Sequence, residues 1–344
     1  MHSLRSLPVL AVVLACLPAC PTRASEAASA SAGEITFFVA SDTHFGVPGI
    51  EERNRRLIEE LNGLPGLEYP PEIGGRVGTP RGVLITGDLT DYSTEEQWRQ
   101  FESFYGRTGK EGLFRFPVFE ALGNHDFMGD TPVVPHITRR HGGVVYSFNW
   151  DELHIACLGM YPSTETIRWL ETDLRGIEPG RPVVVFFHYG IDGPWSQSWE
   201  SQEEREDLAR VLSGHRIAAI FHGHAHHAGH YRWREYDVFR PGSPKHSSRE
   251  VLAVRLRGDE LAVAYRDFDR SVWTQVQVRA IASSARAAAV PMTSARGRAV
   301  AVRAAQPDDE REAQGQPSLH AKHDRVGGEG DGLAGEHVQD PPVR

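Results

Sequence analysis

The sequence predicts an α/β layered fold for residues 33–275. Short apolar runs that read as buried strands alternate with amphipathic, helix-like stretches. Five of the buried strands run directly into a polar cluster. No internal repeat and no clear linker interrupts the alternation, so one domain is the economical reading.

The elements follow in order. Residues 35–40 are a short apolar run and the first strand. Residues 51–61 have helical composition, with Leu57, Ile58 and Leu61 on one side. Val83, Leu84, Ile85 and Thr86 read as a second buried strand. A helix begins near Thr94 and carries Glu95, Glu96, Trp98 and Phe101; Ser93 or Thr94 can cap it. Residues 116–122 form a third strand, and 144–149 and 153–160 flank Trp150-Asp151-Glu152 as a hairpin. An amphipathic helix is expected at 164–174, a continuous apolar strand at 182–187, a helix at 203–212 and a strand at 217–221. Strand-like pieces follow at 231–233, 238–239, 251–256 and 261–268, the last two joined through Arg257-Gly258-Asp259-Glu260.

Both ends read as lying outside the fold. Arg5 and the apolar run 7–19 have the form of an export signal, residues 1–24, with a run too short to span a bilayer. Leu17-Pro18-Ala19-Cys20 resembles a bacterial lipobox, which would place a lipid on Cys20; ordinary cleavage after Ala24 is the alternative. The expectation is an exported protein of the bacterial envelope, periplasmic or tethered to the membrane as a lipoprotein. No Phe, Trp or Tyr occurs after Trp273. Residues 276–344 therefore read as a disordered tail that cannot offset its chain entropy by burial, and His320, His323 and His337 receive no metal role.

Composition narrows the function. The 344 residues carry a net charge of -9 and a pI of about 6.0, which argues against a protein that wraps nucleic acid. With 3 cysteines there is neither a disulfide framework nor a cysteine-rich zinc module; Cys157, in an apolar strand, reads as buried and inert. The 17 histidines include several short clusters, which points to metal chemistry.

Those clusters sit where strands end. They are Ser41-Asp42-Thr43-His44, Gly87-Asp88-Leu89-Thr90-Asp91, Gly123-Asn124-His125-Asp126, His188-Tyr189-Gly190 and His222-Gly223-His224-Ala225-His226-His227. Ligand sites in α/β sheets form beyond the carboxyl ends of strands, so the five should converge. Asp, His and Asn are donors suited to Zn, Mn, Fe or Co, and no thiolate takes part. Asp42 and His44, like His224 and His226, are spaced so that both can face one ion. Asp88 can bridge two cations roughly 3.5–4 Å apart, the arrangement that in-line attack on phosphorus uses. Glycines 87, 123 and 223 would let the backbone turn tightly beside the site. An Asp-x-His alone is common by chance; the order and strand context of all five carry the reading.

Asp42/His44, Gly87-Asp88 with Asp91, Gly123-Asn124-His125-Asp126, His188 and Gly223-His224-Ala225-His226 together resemble the calcineurin-like metallophosphoesterase superfamily. The resemblance implies two mixed β-sheets packed face to face with helices outside. It implies two divalent ions (Mn, Fe or Zn), one on Asp42, His44, Asp88 and His226, the other on Asp88, Asn124, His188 and His224. His125 would face substrate with Asp91 orienting it, and Asp126 would support the motif. The implied activity is hydrolysis of a small phosphate ester, mono- or diester, by a metal-bridging hydroxide, with His125 assisting the leaving group. A catalytically silent, metal-containing surface binding protein is the competing reading. Tyr92 stands where some phosphoprotein phosphatases carry an arginine, which argues against a phosphoprotein substrate. The Pro241-Gly242-Ser243-Pro244 turn also resembles a stretch found in many members. Tyr161, Tyr189, Trp195, Trp199 and His227 are candidates to line a pocket, and His222, His230 and His246 are expected not to ligate metal. Oligomeric state is left open.

Overall fold

The computed structural model describes residues 33–129, 132–191 and 201–281, all within one compact unit. The expected export signal with Cys20, the aromatic residues Trp195 and Trp199, and the expected tail beyond 281 lie outside the described residues. No helix among the described residues is long and apolar enough to cross a membrane.

Two six-stranded sheets make up the core. The first contains β1 (Glu34–Ala40), β2 (Val83–Ile85), β3 (Val118–Glu120), β10 (Glu250–Arg257), β11 (Glu260–Asp267) and β12 (Val272–Ala280), in the order β12-β11-β10-β1-β2-β3. The second contains β4 (Tyr146–Trp150), β5 (Leu153–Cys157), β6 (Pro182–Phe186), β7 (Arg216–Phe221), β8 (Gly229–Trp233) and β9 (Tyr236–Arg240), in the order β4-β5-β6-β7-β9-β8. Both are mixed: β1, β2 and β3 run parallel, as do β5, β6, β7 and β9, while the flanking pairs are antiparallel.

The continuous apolar runs are explained by burial of both faces. On β1, Ile35, Phe37 and Val39 enter the core between the sheets, while Phe38 and Ala40 face the helices. On β6, Val184 and Phe186 join the inter-sheet core, and Val183 and Val185 meet the helices of the other side. Helices α1 (Ile50–Gly63), α2 (Glu95–Tyr105) and α3 (Val133–His141) cover the first sheet; α4 (Thr164–Arg175) and α5 (Gln202–Leu212) cover the second. Helix, sheet, sheet and helix thus form four layers. Thr94 caps α2 by accepting from Gln97 N, Ser163 caps α4, and Ser201 with Glu204 forms a capping box on α5.

Two elements depart from the sequence reading. α3 was not anticipated; Pro135 and β-branched residues mask it, and tertiary contacts hold it. Val133 and Ile137 are buried, and Arg140 and His141 both pair with the buried Glu120 at the end of β3. The strand β12 runs to Ala280, past the expected start of the tail at 276. Its period-2 residues Val276 and Val278 pack on the first sheet's helix-side core, and its backbone pairs with β11.

Because β1, β2, β3, β6 and β7 are parallel within their sheets, the loops after them open at one end of each sheet. Hydrogen bonds across that end join the two sheets. His188 Nδ1 lies 2.8 Å from Thr86 O, His224 N donates to Asp42 Oδ2 at 3.1 Å, and Ser243 Oγ donates to Asp42 O at 2.9 Å.

Candidate metal centre

All five polar clusters meet at this joined edge. Asp42, His44, Asp88 and His226 present ligand atoms to one another, as do Asp88, His188 and His224, so Asp88 belongs to both groups. Asn124 Oδ1 is 3.0 Å from His188 Nε2 and belongs with the second.

Each of the two buried carboxylates is split between two tasks. Asp42 Oδ2 accepts from His224 N and Asp88 Oδ1 accepts from His125 N at 2.9 Å. The other oxygens, Asp42 Oδ1 and Asp88 Oδ2, are buried with no hydrogen-bond partner. A buried carboxylate oxygen left so is costly unless a cation meets it. Asp88 Oδ2 lies 3.5 Å from His44 Nε2 and 3.4 Å from His188 Nε2. Asp42 Oδ1 lies 3.1 Å from His226 Nε2.

The imidazole tautomers follow from their partners. A carbonyl only accepts, so His188 Nδ1 carries the proton it gives Thr86 O, leaving the Nε2 lone pair for the centre. His44 Nδ1 likewise donates to Asp91 Oδ1 at 3.2 Å, freeing Nε2. His44 Nε2 and His226 Nε2 face each other at 3.1 Å. Two ligand nitrogens about 2.0–2.1 Å from one ion stand about that far apart, whereas two lone pairs without a cation repel. Donor chemistry, orphaned oxygens and nitrogen spacing therefore all fit divalent metal.

Electrostatics agree for the protein without metal. Burial would raise the Asp42 carboxyl, but His226, with His188 and His44 behind it, holds it well below the ordinary range. Burial would lower His188, but the Asp88 and Asp42 carboxylates lift it to about 9. Burial pulls His224 down to about 4, with His188 adding to the effect. His222 is pulled to about 3 by burial; its Nδ1 bonds Gly223 O and its Nε2 meets the Tyr231 hydroxyl at 2.9 Å, so no lone pair remains for an ion. His230 Nε2 pairs with Asp237 at 2.7 Å, and the His246 ring lies 4.5 Å from that of His226.

The residues around the ligands differ from expectation in detail. Asp91 meets His125 through its main-chain carbonyl, 2.7 Å from Nδ1, while its carboxylate, 3.7 Å from that nitrogen, lies closer to His44 and to Lys245. Lys245 was not foreseen; its only sequence signal is its place just after the Pro241-Gly242-Ser243-Pro244 turn. Asp126 braces two loops by accepting from the main-chain N–H of Gly123, Leu89 and Thr90, and burial, then the Asp88 charge, raise it to about 6. Of the three glycines, only Gly87 adopts a positive φ. Gly123 and Gly223 are needed for space: a Cβ would stand 2.1 Å from Asp88 Oδ1 at the first and 2.0 Å from Ser41 Oγ at the second. Tyr189 sets its ring 4.5 Å from His224, with Tyr161 beyond it.

The family model for calcineurin-like phosphoesterases matches residues 35–228, more than half the chain and the stretch that carries every one of these ligands. The chain belongs to the calcineurin-like phosphoesterase family. As a member it is a metallophosphoesterase, a hydrolase of phosphoric esters. It is 25% identical over 228 residues to a probable glycerophosphodiester phosphodiesterase of Arcobacter nitrofigilis, covering 58% of this chain and 75% of the relative. Among solved structures it resembles a purple acid phosphatase from yellow lupin, with TM-score 0.50 and 13% identity, over 72% of this chain and 54% of the lupin chain, so it spans about half that protein. It also resembles the anchor protein of the Plasmodium inner membrane complex, with TM-score 0.52 and 11% identity, over 73% of this chain and 90% of the other. At those identities the two structures speak to the fold alone.

Proposed function

We propose that this metallophosphoesterase hydrolyses a small phosphate diester with two divalent ions, one on Asp42, His44, Asp88 and His226 and the other on Asp88, Asn124, His188 and His224. One observation carries the reading: Asp88 Oδ2, buried and unpartnered, lies between His44 Nε2 and His188 Nε2, one from each ligand group. These residues would hold divalent ions whose chemistry would be to acidify a bound water and neutralise charge on the phosphoryl oxygens. The diester class is supported by the name of the Arcobacter relative.

His125 is the residue we assign to the leaving oxygen. Its Nδ1–H is held by Asp91 O, which leaves Nε2 as the nitrogen that exchanges a proton with substrate. The side chain is 24% exposed, so it reaches solvent-accessible space beside the buried ligands. Asp88 and Asp42 stay fixed during the reaction because His125 N and His224 N hold their outer oxygens. The export signal expected over residues 1–24 adds the proposal that the enzyme works in the bacterial envelope, tethered through Cys20; the mass of the mature N-terminal peptide decides between a lipidated Cys20 and cleavage after Ala24.

The test is a metal-stripped sample reloaded with Mn²⁺ and given bis-p-nitrophenyl phosphate and p-nitrophenyl phosphate. Two equivalents of metal and faster diester turnover are expected. Asp88→Asn should lose metal and activity together. His125→Ala should keep its metal and lose about 10²–10⁴-fold in turnover. A wild-type sample holding two equivalents and turning over neither ester would sink the proposal.

A further inference from the structure

One carboxylate serves two histidines at this site, and a lysine stands against it. Asp91 Oδ1 is 3.2 Å from His44 Nδ1, 3.7 Å from His125 Nδ1 and 3.0 Å from Lys245 Nζ. Lys245 Nζ also lies 3.4 Å from His44 Nδ1. We propose that Lys245 is a positioning residue: it holds the Asp91 carboxylate on His44 and so sets how tightly the Asp42, His44, Asp88 and His226 group holds its ion. This rests on the metal-dependent reading above.

The argument starts from what Asp91 must do. A carboxylate that accepts the Nδ1–H of a ligating imidazole fixes its tautomer, aims its Nε2 and raises its basicity. His44 is fully buried among neighbouring rings, and Asp91 supplies the carboxylate that meets its Nδ1. Asp91 is one-third exposed, and its carboxylate could as well turn toward water or toward His125. An ammonium 3.0 Å from the same Oδ1 removes that freedom, and this orienting effect has to outweigh the ammonium's own repulsion of a cation held at His44.

The lysine itself is held in place. Lys245 N donates to Ser243 Oγ at 2.9 Å, and that same hydroxyl donates to Asp42 O at 2.9 Å. The base of Lys245 is thereby tied to the backbone of a metal-group residue on the other sheet. The turn around it is tight, since a Cβ on Gly242 would stand 2.1 Å from Ser248 O. Arg249 closes it from behind by donating to Pro244 O. With its stem fixed at Asp42 and its tip at Asp91, Lys245 spans from β9's loop to the loop after β2.

An alternative use of the same ammonium is direct contact with the substrate phosphate, since the side chain is 23% exposed. The two uses separate experimentally. Lys245→Met keeps length and removes charge; Lys245→Arg keeps the charge and a donor. Mn²⁺ binding to metal-stripped protein is followed by isothermal titration calorimetry, with KM and kcat for bis-p-nitrophenyl phosphate measured alongside across a Mn²⁺ series. We expect K245M to weaken the tighter or the weaker of two Mn²⁺ steps by about 10–100-fold, the range for loss of a partner behind a ligating histidine. K245R should restore at least part of that affinity. In K245M the loss of turnover should be repaired by excess Mn²⁺, with KM unchanged. Wild-type Mn²⁺ affinity in K245M, with a raised KM that Mn²⁺ does not repair, would overturn the positioning role in favour of substrate contact. Equal affinity and equal kinetics in K245M would overturn both. Wild-type protein that binds no Mn²⁺ would overturn the metal-dependent reading and this inference with it.

Discussion

Gly123→Ala tests how closely the site is built. Gly123 has an extended backbone, φ -106 and ψ 179, so alanine costs nothing in conformation. The obstacle is Asp88: the added methyl would stand 2.1 Å from Oδ1, 2.4 Å from the main-chain N and 2.8 Å from Cγ. An ordinary carbon contact is about 3.5 Å, so the carboxylate or the loop must move by more than about 1 Å. That movement breaks the 2.9 Å bond from His125 N and displaces the oxygen shared by the two ligand groups. Overpacking of this kind costs about 1–3 kcal/mol, and a misplacement of about 1 Å in a catalytic site costs about 10²-fold in rate. We therefore expect G123A to fold with a melting temperature lowered by about 3–10 °C. It should lose at least half its bound Mn²⁺ and about 10²-fold or more in bis-p-nitrophenyl phosphate turnover. Gly63→Ala is the control: it ends α1, an added Cβ meets nothing within 4 Å, and it should be neutral or stabilising by about 0.5–1 kcal/mol. A G123A protein with wild-type metal content and turnover would refute the steric argument.

Three further outcomes follow from the same contacts. Glu120→Ala removes the buried acceptor shared by Arg140 and His141 and strands the Arg140 charge; thermal denaturation should show a loss of about 3–5 kcal/mol, and a loss under 1 kcal/mol would mean α3 docks by its apolar residues alone. Asp173 binds His154 Nε2 at 2.8 Å and Ser147 Oγ at 2.6 Å; burial would raise its carboxyl, but these partners win and lower it. A depressed folded pKa contributes stability above the unfolded value of about 3.9 that is lost as pH falls through the folded one. Asp173→Asn should therefore cost about 1–2 kcal/mol at pH 7, and the gap from wild type should begin to narrow as pH falls below about 4; a gap that widens on acidification below about pH 4 would contradict the linkage. Chelation by EDTA should lower the melting temperature by about 5–10 °C, since an ion at 100 times its dissociation constant contributes about 2.7 kcal/mol; an unchanged transition would mean the native protein does not prefer the ion.

Much of this structure is legible before folding because the relevant physics is local. β1 and β6 announce themselves as unbroken apolar runs because both their faces are buried. Thr94 marks the start of α2 because an unpaired N–H needs a nearby oxygen. The ligand clusters are readable because they follow strands whose parallel pairing sends every loop to one edge. What was hidden depends on distant partners. α3 contains Pro135 and is fixed through Arg140 and His141 by Glu120, which lies on another element, at the end of β3. β12 has few large apolar residues and is a strand because β11 offers its edge. The family resemblance implied that Asp91 orients His125, but only the packed loops show that its carboxylate goes to His44 and its carbonyl to His125. Lys245 is a single lysine on a loop, distinguished in the sequence only by the Pro241-Gly242-Ser243-Pro244 turn before it, and its place at the site becomes visible when Ser243 ties that loop to Asp42.

The ligand residues also reveal where the fold spends stability. Among the described residues, nine that are not glycine have a positive φ, and five of these are Asp42, His44, Asp88, His224 and His226. Left-handed backbone costs an ordinary side chain roughly 1–3 kcal/mol, less for Asp and His, which visit that region more than most. Glycine would remove the cost and the ligand together. The strain is held by backbone bonds that cross between the first two loops, Asp42 N to Gly87 O and His44 N to Asp88 O, each 3.0 Å. Asp42 and His44 are left-handed on either side of an intervening residue, and so are His224 and His226. Asp42 and His44 thereby reach the same ligand group, whereas His224 and His226 divide between the two. The Asp-x-His and His-x-His segments thus each carry two left-handed ligand residues, and they meet where His224 N donates to Asp42 Oδ2 across the edge of the two sheets.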